Sequence, residues 1–153
     1  MRTPARVLIR DAWAAEQRSL TELQRRASMR RDAYREQLVA HPDAVELPVD
    51  QIEACLVRVA ERGADGVGFA VLLRPAQGTC ELDGLFVEPA HMGAGVGRSL
   101  VEDAMRIARE RGATAIEVVA NPEAVAFYQP LGFTGAEQVP TRFGPARRIR
   151  LPV

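Results

Sequence analysis

The sequence predicts an α/β domain in which a central mixed β-sheet is flanked by helices on both faces. The main observation is a strand-like apolar run, Leu82–Val87, followed by a glycine-rich turn, an amphipathic helix and another strand-like run. A helix that connects two strands predicts parallel neighbours joined by a right-handed crossover. Short glycine-containing links elsewhere predict antiparallel hairpins. The length of 153 residues suits one domain, residues 1–153.

The N-terminal third predicts one strand and two helices. Val7–Ile9 is a short β-type run. Apolar residues at three- and four-residue spacing predict a helix from about Ala14 to Met29. A second helix is expected over Arg30–Ala40, and it ends there because the residue before Pro42 avoids the helical region. The segment Asp43–Asp50 is expected to be a loop.

Two strand-like runs, Ala54–Ala60 and Val67–Leu73, are separated by a short link with two glycines. This arrangement predicts a β-hairpin that precedes the central strand. Cys55 lies in the first of these runs, and Cys80 lies in the central strand-like stretch, two residues before Leu82. We therefore expect both cysteines to be reduced and buried in the core. No metal-ligand spacing of cysteine and histidine is present, so no metal site is expected.

The second half of the chain predicts two helices and three strands. The helix after the glycines has one apolar face over Val96–Arg111, and Gly112 is a natural C-cap. A strand is predicted next, and then a helix that begins at Asn121-Pro122, with asparagine as N-cap and proline as first helical residue. This helix carries Phe127, which is expected to lie in the core. The predicted strands are Thr114–Ala120, Phe133–Val139 and Arg147–Leu151.

The charge balance argues against several classes of partner. Twenty basic and twenty acidic residues give a formal net charge of zero, which gives no support to a general nucleic-acid or membrane-surface role. Aromatic residues make up 5% of the chain, so a base-stacking platform is not indicated. The N-terminal apolar run is too short for a signal peptide, and no stretch is long enough to span a bilayer. A cytosolic protein is expected.

The glycine-rich turn predicts a site for phosphates. Gly93, Gly95 and Gly97 alternate between the central strand and the helix, where backbone N–H groups and the helix dipole favour an anion. The spacing does not fit a P-loop, because Met92 occupies the position of the first glycine and Arg98 that of the lysine. It does not fit the Rossmann fingerprint either, since the third glycine is missing.

Two motifs resemble those of the GCN5-related N-acetyltransferases. The turn Met92-Gly93-Ala94-Gly95-Val96-Gly97 is similar to the acetyl-CoA loop of that family, Q/R-x-x-G-x-G/A, and follows the strand phrase Leu85-Phe86-Val87-Glu88-Pro89. The stretch from Asn121 to Phe133 resembles the second family signature, N-x-x-A-x-x-F-Y-x-x-x-G-F. The order of elements is similar along nearly the whole chain, from Val7 to Leu151. One departure is Met92, where the family usually has glutamine or arginine.

The resemblance implies acetyl-CoA as co-substrate and assigns residues to it. The pyrophosphate would rest on backbone amides of the loop, and the pantetheine arm would pair with the central strand where its neighbour splays away. Asn121 would hydrogen-bond the pantetheine arm as well as cap its helix. The implied contacts are Met92, Gly93, Ala94, Gly95, Val96, Gly97 and Arg98 for the pyrophosphate, and Leu85, Phe86 and Val87 for the pantetheine.

The resemblance also implies catalytic roles. Tyr128 matches the tyrosine that many members place beside the CoA sulfur, and a neutral phenol can donate a proton to the departing thiolate. Strand alternation puts Glu81 and Asp83 on one face. By its distance to the loop, Glu81 lies where some family members carry their general base, so the resemblance implies Glu81 as base, with Asp83 as the alternative. His41 and His91 are weaker titratable alternatives. We expect the amine to attack acetyl-CoA directly in a ternary complex.

The sequence leaves the amine acceptor open. The resemblance places its determinants in Ala14–Asp50 and Gln138–Arg147. The acidic Glu81 and Asp83 hint at a cationic acceptor, which is a small amine, a peptide or protein N-terminus, or a lysine side chain. A non-catalytic acyl-CoA-binding or sensing module on the same fold is the alternative, supported by Met92. Acetylation of aminoacyl-tRNA is a third interpretation, weakened by the zero net charge. The final strands are the candidate surface for a homodimer.

Overall fold

The computed structural model describes residues 6–29, 32–41, 45–142 and 144–153. The strands are β1 Val7–Asp11, β2 Val57–Arg62, β3 Asp65–Leu72, β4 Thr79–Val87, β5 Ala115–Ala120, β6 Thr134–Thr141 and β7 Gly144–Pro152. The α-helices are α1 Gln17–Met29, α2 Asp32–Ala40, α3 Val49–Glu53, α4 Val96–Glu110 and α5 Pro122–Tyr128. Short 3₁₀ helices cover Ala14–Glu16, Pro89–His91 and Gln129–Leu131.

The strands follow the order β1-β2-β3-β4-β5-β7-β6. β4 and β5 pair in parallel, with Thr79–Glu81 opposite Ala115–Glu117. β1 with β2, β2 with β3, β5 with β7, and β6 with β7 pair antiparallel. The predicted mixed sheet with flanking helices is therefore confirmed, and α4 is the predicted crossover between two parallel strands.

The chain divides into two compact units, Met1–Val71 with Gly84–Asp103, and Leu72–Asp83 with Ala104–Val153. β4 begins in the second unit and ends in the first, whereas α4 begins in the first and ends in the second. Each unit has its own buried apolar side chains. The prediction of a single domain stays a prediction.

The core of the first unit joins β2 and β3 to the end of β4 and the start of α4. Close approach at Gly68 makes this packing possible. A Cβ there would lie 2.9 Å from the Phe86 carbonyl oxygen and 3.0 Å from a Val96 methyl carbon, so only glycine fits without movement of its neighbours. Fully buried side chains of this core are Val57, Val59, Val67, Phe69, Val96, Leu100 and Val101.

One ion-pair group ties the outer strands of the first unit to α4. The Arg58 guanidinium on β2 donates two hydrogen bonds to Asp103, at 2.9 and 3.1 Å. It also donates to Asp11 at the end of β1, at 2.9 Å. Arg58 and Asp103 are largely shielded, with 18% and 9% of their side chains exposed. Their pairing is therefore less screened by water than an ordinary surface ion pair.

The second unit packs α5 and the strands β5 and β7 around apolar side chains. β5 buries alternate residues, Ile116, Val118 and Ala120, as a strand with one face on a core does. Phe133 and Ile149 are fully buried in the same unit. Cys80 at the start of β4 is also buried, as the sequence predicts.

The prediction that Cys55 is a buried strand residue is wrong. The structure forms the short helix α3 just before it, and the Cys55 amide donates to the Ile52 carbonyl oxygen at 3.0 Å. Cys55 then adopts a left-handed φ of 59° as the chain turns toward β2, which begins only at Val57. Its side chain is exposed. The apolar run was too short to distinguish a helical turn from a strand.

One further prediction is wrong, and another lies partly outside the described residues. Phe127 is 37% exposed, not buried, because α5 turns Val125 and Tyr128 toward the core and adjacent helix positions face different directions. The second predicted helix, Arg30–Ala40, is found as Asp32–Ala40. Its first two predicted residues lie outside the described residues, as does the proline stop signal at Pro42.

Candidate active site

The glycine loop joins a 3₁₀ turn, Pro89–His91, to the helix α4. Gly93 and Gly95 have left-handed φ angles of 77° and 85°. An added Cβ would meet no atom within 4 Å at either position, so the space beside the loop backbone is open. Both glycines are therefore required by backbone conformation and leave room for a ligand.

The loop presents a run of backbone N–H groups that have no backbone acceptor in the described part of the chain. Within the described residues, no backbone N–H from Gly93 to Arg98 donates to a backbone carbonyl, whereas Ser99 bonds to Gly95 at 3.0 Å. The Met92 N–H is already directed to the Pro89 carbonyl oxygen, at 3.4 Å. Successive unpaired amides at the start of the 15-residue α4 favour an anion. The arrangement fits the predicted pyrophosphate site, with Met92 contributing least.

The end of β4 is held firmly before it enters the loop. Residues Leu85–Val87 are half-buried, and the Phe86 ring packs against Phe69 with 5.2 Å between centroids. The Glu88 amide donates to the Val67 carbonyl oxygen at 2.8 Å. The strand that would align a pantetheine arm is thus fixed by packing and by its neighbour β3.

Glu88 also connects β4 to the first helix. Arg26 on α1 donates two hydrogen bonds to the Glu88 carboxylate, at 2.7 and 2.8 Å. This bidentate contact holds the pKa of the Glu88 carboxyl below its usual range. The carboxylate that precedes the glycine loop is therefore part of an ion pair and is a weaker base than an ordinary glutamate.

One residue at the loop was not predicted from the sequence. Arg62, the last residue of β2, donates from Nη2 to the Ala94 carbonyl oxygen at 3.1 Å. No motif includes Arg62, because it comes from a hairpin 32 residues earlier in the chain. The side chain of Arg98, whose amide the resemblance assigns to the pyrophosphate, is engaged by Glu102 at 3.1 Å on its own helix.

Asn121 in the second unit performs the predicted capping role. Its side-chain oxygen accepts a hydrogen bond from the Ala124 amide at 2.9 Å, and Pro122 opens α5. The cap uses only the carbonyl oxygen of the side chain. The NH₂ group of the same side chain carries two N–H donors. A carbonyl oxygen of the pantetheine arm would accept a hydrogen bond from such a donor.

Tyr128 lies at the end of α5 and is 5% exposed. Its ring makes edge contacts with Phe127 and Phe133, with centroids 4.9 and 5.0 Å apart. Burial raises the pKa of the Tyr128 hydroxyl well above its usual range, because the phenolate would be poorly solvated. The side chain is therefore a neutral phenol throughout the physiological pH range.

Glu81 and Asp83 share the exposed face of β4, while Cys80 and Leu82 between them are buried. The predicted alternation is thus correct. The pKa of Glu81 is raised by desolvation first, and then by the charges of Asp83 and Glu117, while Arg148 acts in the opposite direction. A carboxylate with a raised pKa is a stronger base than an ordinary glutamate.

The two histidines are the remaining titratable candidates that the sequence named. His41 is exposed and follows α2, and His91 ends the 3₁₀ turn before the loop.

Within the described part of the chain, no group of three or more His, Cys, Asp and Glu residues could hold a metal ion. None of the described helices is long and apolar enough to cross a bilayer.

A cleft of about 350 Å³ lies in the first unit, between α1 and the residues that precede α3. It falls within Ala14–Asp50, the segment that was predicted to set the acceptor. Charged side chains of both signs line it: Arg18, Glu22, Arg25 and Glu46. This lining suits a polar ligand better than an apolar one.

The parallel pair β4–β5, the crossover helix α4 and the open glycine loop fit an acetyltransferase class of fold, which the following solved structures share. The PaiA N-acetyltransferase of Thermoplasma acidophilum, in complex with coenzyme A, is 18% identical, with a TM-score of 0.81 over 97% of this chain and 99% of its own. YncA of Salmonella typhimurium, solved with its cofactor acetyl-CoA, is 23% identical, with a TM-score of 0.73 over 97% and 94%.

A third similar structure is the ribosomal-protein-S18-alanine N-acetyltransferase of Escherichia coli, 20% identical, with a TM-score of 0.70 over 96% and 94% of the two chains. A search of curated protein sequences finds no match. The sequence profile of the acetyltransferase (GNAT) family matches residues 18–133. The chain belongs to this family of acetyltransferases.

Proposed function

We propose that the protein is an acetyl-CoA-dependent N-acetyltransferase that transfers the acetyl group to a primary amine by direct attack. The observation that carries the proposal is the run of unpaired amides from Gly93 to Arg98 at the start of α4. Two left-handed glycines shape this run, as a pyrophosphate site requires. The coenzyme A and acetyl-CoA named with two similar structures support the same ligand.

Acetyl transfer needs a held thioester, a neutral amine and a proton for the departing thiolate. We assign the first task to the loop amides, to the backbone of Leu85–Val87 and to the NH₂ group of Asn121. The loop would hold the charged end of acetyl-CoA, and the strand would align the pantetheine arm by backbone pairing. A backbone N–H of β4 would polarise the thioester carbonyl.

Tyr128 is proposed as the group that meets the departing sulfur. Its raised pKa keeps the phenol neutral, so that it donates a hydrogen bond rather than repelling the thiolate. As the carbon–sulfur bond breaks and negative charge develops on sulfur, the proton passes along this hydrogen bond to the thiolate, and Tyr128 regains a proton from water before the next turnover. The packing against Phe133 holds the ring in one orientation, which preorganises the donor.

Glu81 is proposed as the base that removes the proton from the attacking amine, either directly or through a water molecule. A typical alkylammonium has a pKa of about 10.4, so most of the acceptor amine is protonated at neutral pH. It must lose a proton before its nitrogen can attack. The elevated pKa of Glu81 supports this role, and Asp83 two residues along the same face is the alternative base. The acceptor itself is proposed only as a primary amine.

A non-catalytic acyl-CoA-binding module remains the competing function, because Met92 lacks the polar side chain that the family usually provides. Its side chain is 51% exposed and offers the phosphates no charge. An intact Tyr128 favours the enzyme, since a sensor needs no proton donor.

A thermal-shift titration with acetyl-CoA, with NADH and ATP as controls, tests the proposal first. A ligand at about 100 times its dissociation constant adds about 2.7 kcal/mol to the free energy of unfolding. We expect a clear rise in Tm with acetyl-CoA alone. Release of free CoA thiol with a panel of amines then separates an enzyme from a sensor. No shift at millimolar acetyl-CoA would remove the proposed function.

Cytosolic location, one domain and a homodimer through the final strands remain predictions of the sequence. β6 ends the strand order and is mostly exposed, which is compatible with pairing between two copies. Light scattering at several protein concentrations measures the oligomeric state directly.

A further inference from the structure

Arg62 contacts the glycine loop at its centre. Its Nη2 atom donates to the carbonyl oxygen of Ala94, which lies between the two left-handed glycines, Gly93 and Gly95. Arg62 closes β2, and its position is fixed by the hairpin in which it pairs with Asp65 on β3. A residue of the sheet therefore holds the loop from outside the loop motif.

The positive charge of Arg62 is not neutralised by a carboxylate among the described residues, unlike that of Arg58 or Arg98. In addition, its Nε atom is buried and has no hydrogen-bond partner in the described part of the chain. Arg62 as a whole is half-buried, but a buried polar atom without a partner is rare enough to call for an explanation. The uncompensated cation lies directly at the loop that would receive phosphates.

The geometry of the peptide between Ala94 and Gly95 links the Arg62 contact at the Ala94 oxygen to the Gly95 N–H. In a planar trans peptide, the carbonyl oxygen of Ala94 and the N–H of Gly95 point in opposite directions. A hydrogen bond that holds the oxygen toward Arg62 therefore turns the Gly95 N–H away from β2. The guanidinium charge also polarises this peptide, which makes the N–H a stronger donor to an anion.

We propose that Arg62 is a positioning residue for the pyrophosphate of acetyl-CoA, acting through the peptide between Ala94 and Gly95. It supplies from the sheet the positive charge that Met92 does not supply from the loop. This inference rests on the proposed function, because it names how the same loop is prepared for its ligand.

The test uses Arg62→Gln and Arg62→Lys, with Arg109→Gln as the matched loss of one exposed arginine at the other end of α4. Calorimetry gives dissociation constants for acetyl-CoA, its 3′-dephospho form and S-acetylpantetheine, which lacks the pyrophosphate. We expect Arg62→Gln to weaken both nucleotide ligands at least about tenfold, since hydrogen bonds to charged groups contribute strongly. Arg62→Lys should fall between, and Arg109→Gln should bind normally.

A readout of the loop itself separates positioning from general damage. In ¹⁵N-labelled protein, acetyl-CoA should shift the Gly95 amide resonance strongly in the wild type and much less in Arg62→Gln. S-acetylpantetheine should bind all variants equally.

Three results would overturn the inference. One is an equal loss for all three ligands, which would indicate damage to the fold. Another is a loss restricted to ligands with the 3′-phosphate, and the third is unchanged binding of acetyl-CoA by Arg62→Gln. Failure of the wild type to bind acetyl-CoA would instead remove the proposed function.

Discussion

Glu81 on β4 lies directly opposite Glu117 on β5 in the parallel pairing of these strands. Paired residues of neighbouring strands present their side chains on the same face, so the two carboxylates repel each other. Arg148 on β7 donates to Glu117 at 2.7 Å and compensates part of this charge. Glu81 therefore keeps a raised pKa, caused mainly by desolvation and secondarily by Asp83 and Glu117.

This relationship predicts the acidic limb of the pH–rate profile. If Glu81 is the base, it acts when deprotonated, so kcat/KM should fall as the pH drops through its raised pKa. Glu81→Gln should lower the rate by about 100-fold and flatten that limb. Thiol release measured across pH in the presence of an active amine gives the profile.

Asp83→Asn is the matched control for Glu81→Gln. It removes one of the charges that raise the pKa of Glu81, so the acidic limb should remain but move to lower pH. A flattened limb in Asp83→Asn, with a normal limb in Glu81→Gln, would assign the base to Asp83.

Tyr128→Phe tests the proton donor. The substitution keeps the ring and its contacts with Phe127 and Phe133, so folding and acetyl-CoA affinity should be close to normal. Turnover should fall by about 100-fold or more, because general acid catalysis typically contributes at least that factor. Paired thiol-release and calorimetric measurements decide the result. Unchanged turnover would show that the thiolate obtains its proton elsewhere.

A comparison of Gly95→Ala with Gly112→Ala separates the effect of backbone strain on stability from the effect of the loop on acetyl-CoA affinity. Both glycines have left-handed φ angles, 85° and 79°, and neither would place a Cβ within 4 Å of another atom. Each substitution should lower the free energy of unfolding by about 1–2 kcal/mol, the cost of a left-handed non-glycine residue. Only Gly95→Ala should also weaken acetyl-CoA, because its Cβ stands beside the proposed phosphate position. Equal affinity in the two variants would contradict the proposed cradle.

The ion pairs of Arg58 predict a difference between its two partners. Asp103→Asn removes the shielded carboxylate and should lower the free energy of unfolding by about 3 kcal/mol, as loss of one partner in a buried pair does. Asp11→Asn affects a partner whose side chain is 58% exposed, and it should cost less than about 1 kcal/mol. Denaturant unfolding of both variants measures the difference, and equal losses would disprove this ranking.

The exposure of the two cysteines predicts their reactivity. A thiol reagent should modify Cys55 rapidly in the native protein and Cys80 only after unfolding. Burial also raises the pKa of Cys80, which further lowers its thiolate fraction. Mass spectrometry of the modified peptides identifies the residue. Rapid labelling of both would show that the start of β4 opens readily.

Local sequence patterns predicted much of the fold because they encode local physics. The strand, the alternating glycines and the amphipathic helix around Gly95 act within a few residues of one another. The Asn121 cap and the exposed face of Glu81 follow from helix and strand geometry in the same way. The family profile matches residues 18–133, a range that includes both motifs.

Only the tertiary structure decided which side chains from distant segments meet. The Arg62–Ala94 contact and the Arg26–Glu88 pair join residues 32 and 62 positions apart, and no sequence periodicity encodes either. The exposure of Phe127 depends on which face of α5 is buried, and that of Cys55 on the turn between α3 and β2. Short-range patterns fix the form of each element, whereas burial and charge pairing depend on which elements become neighbours, and that is a property of the whole fold.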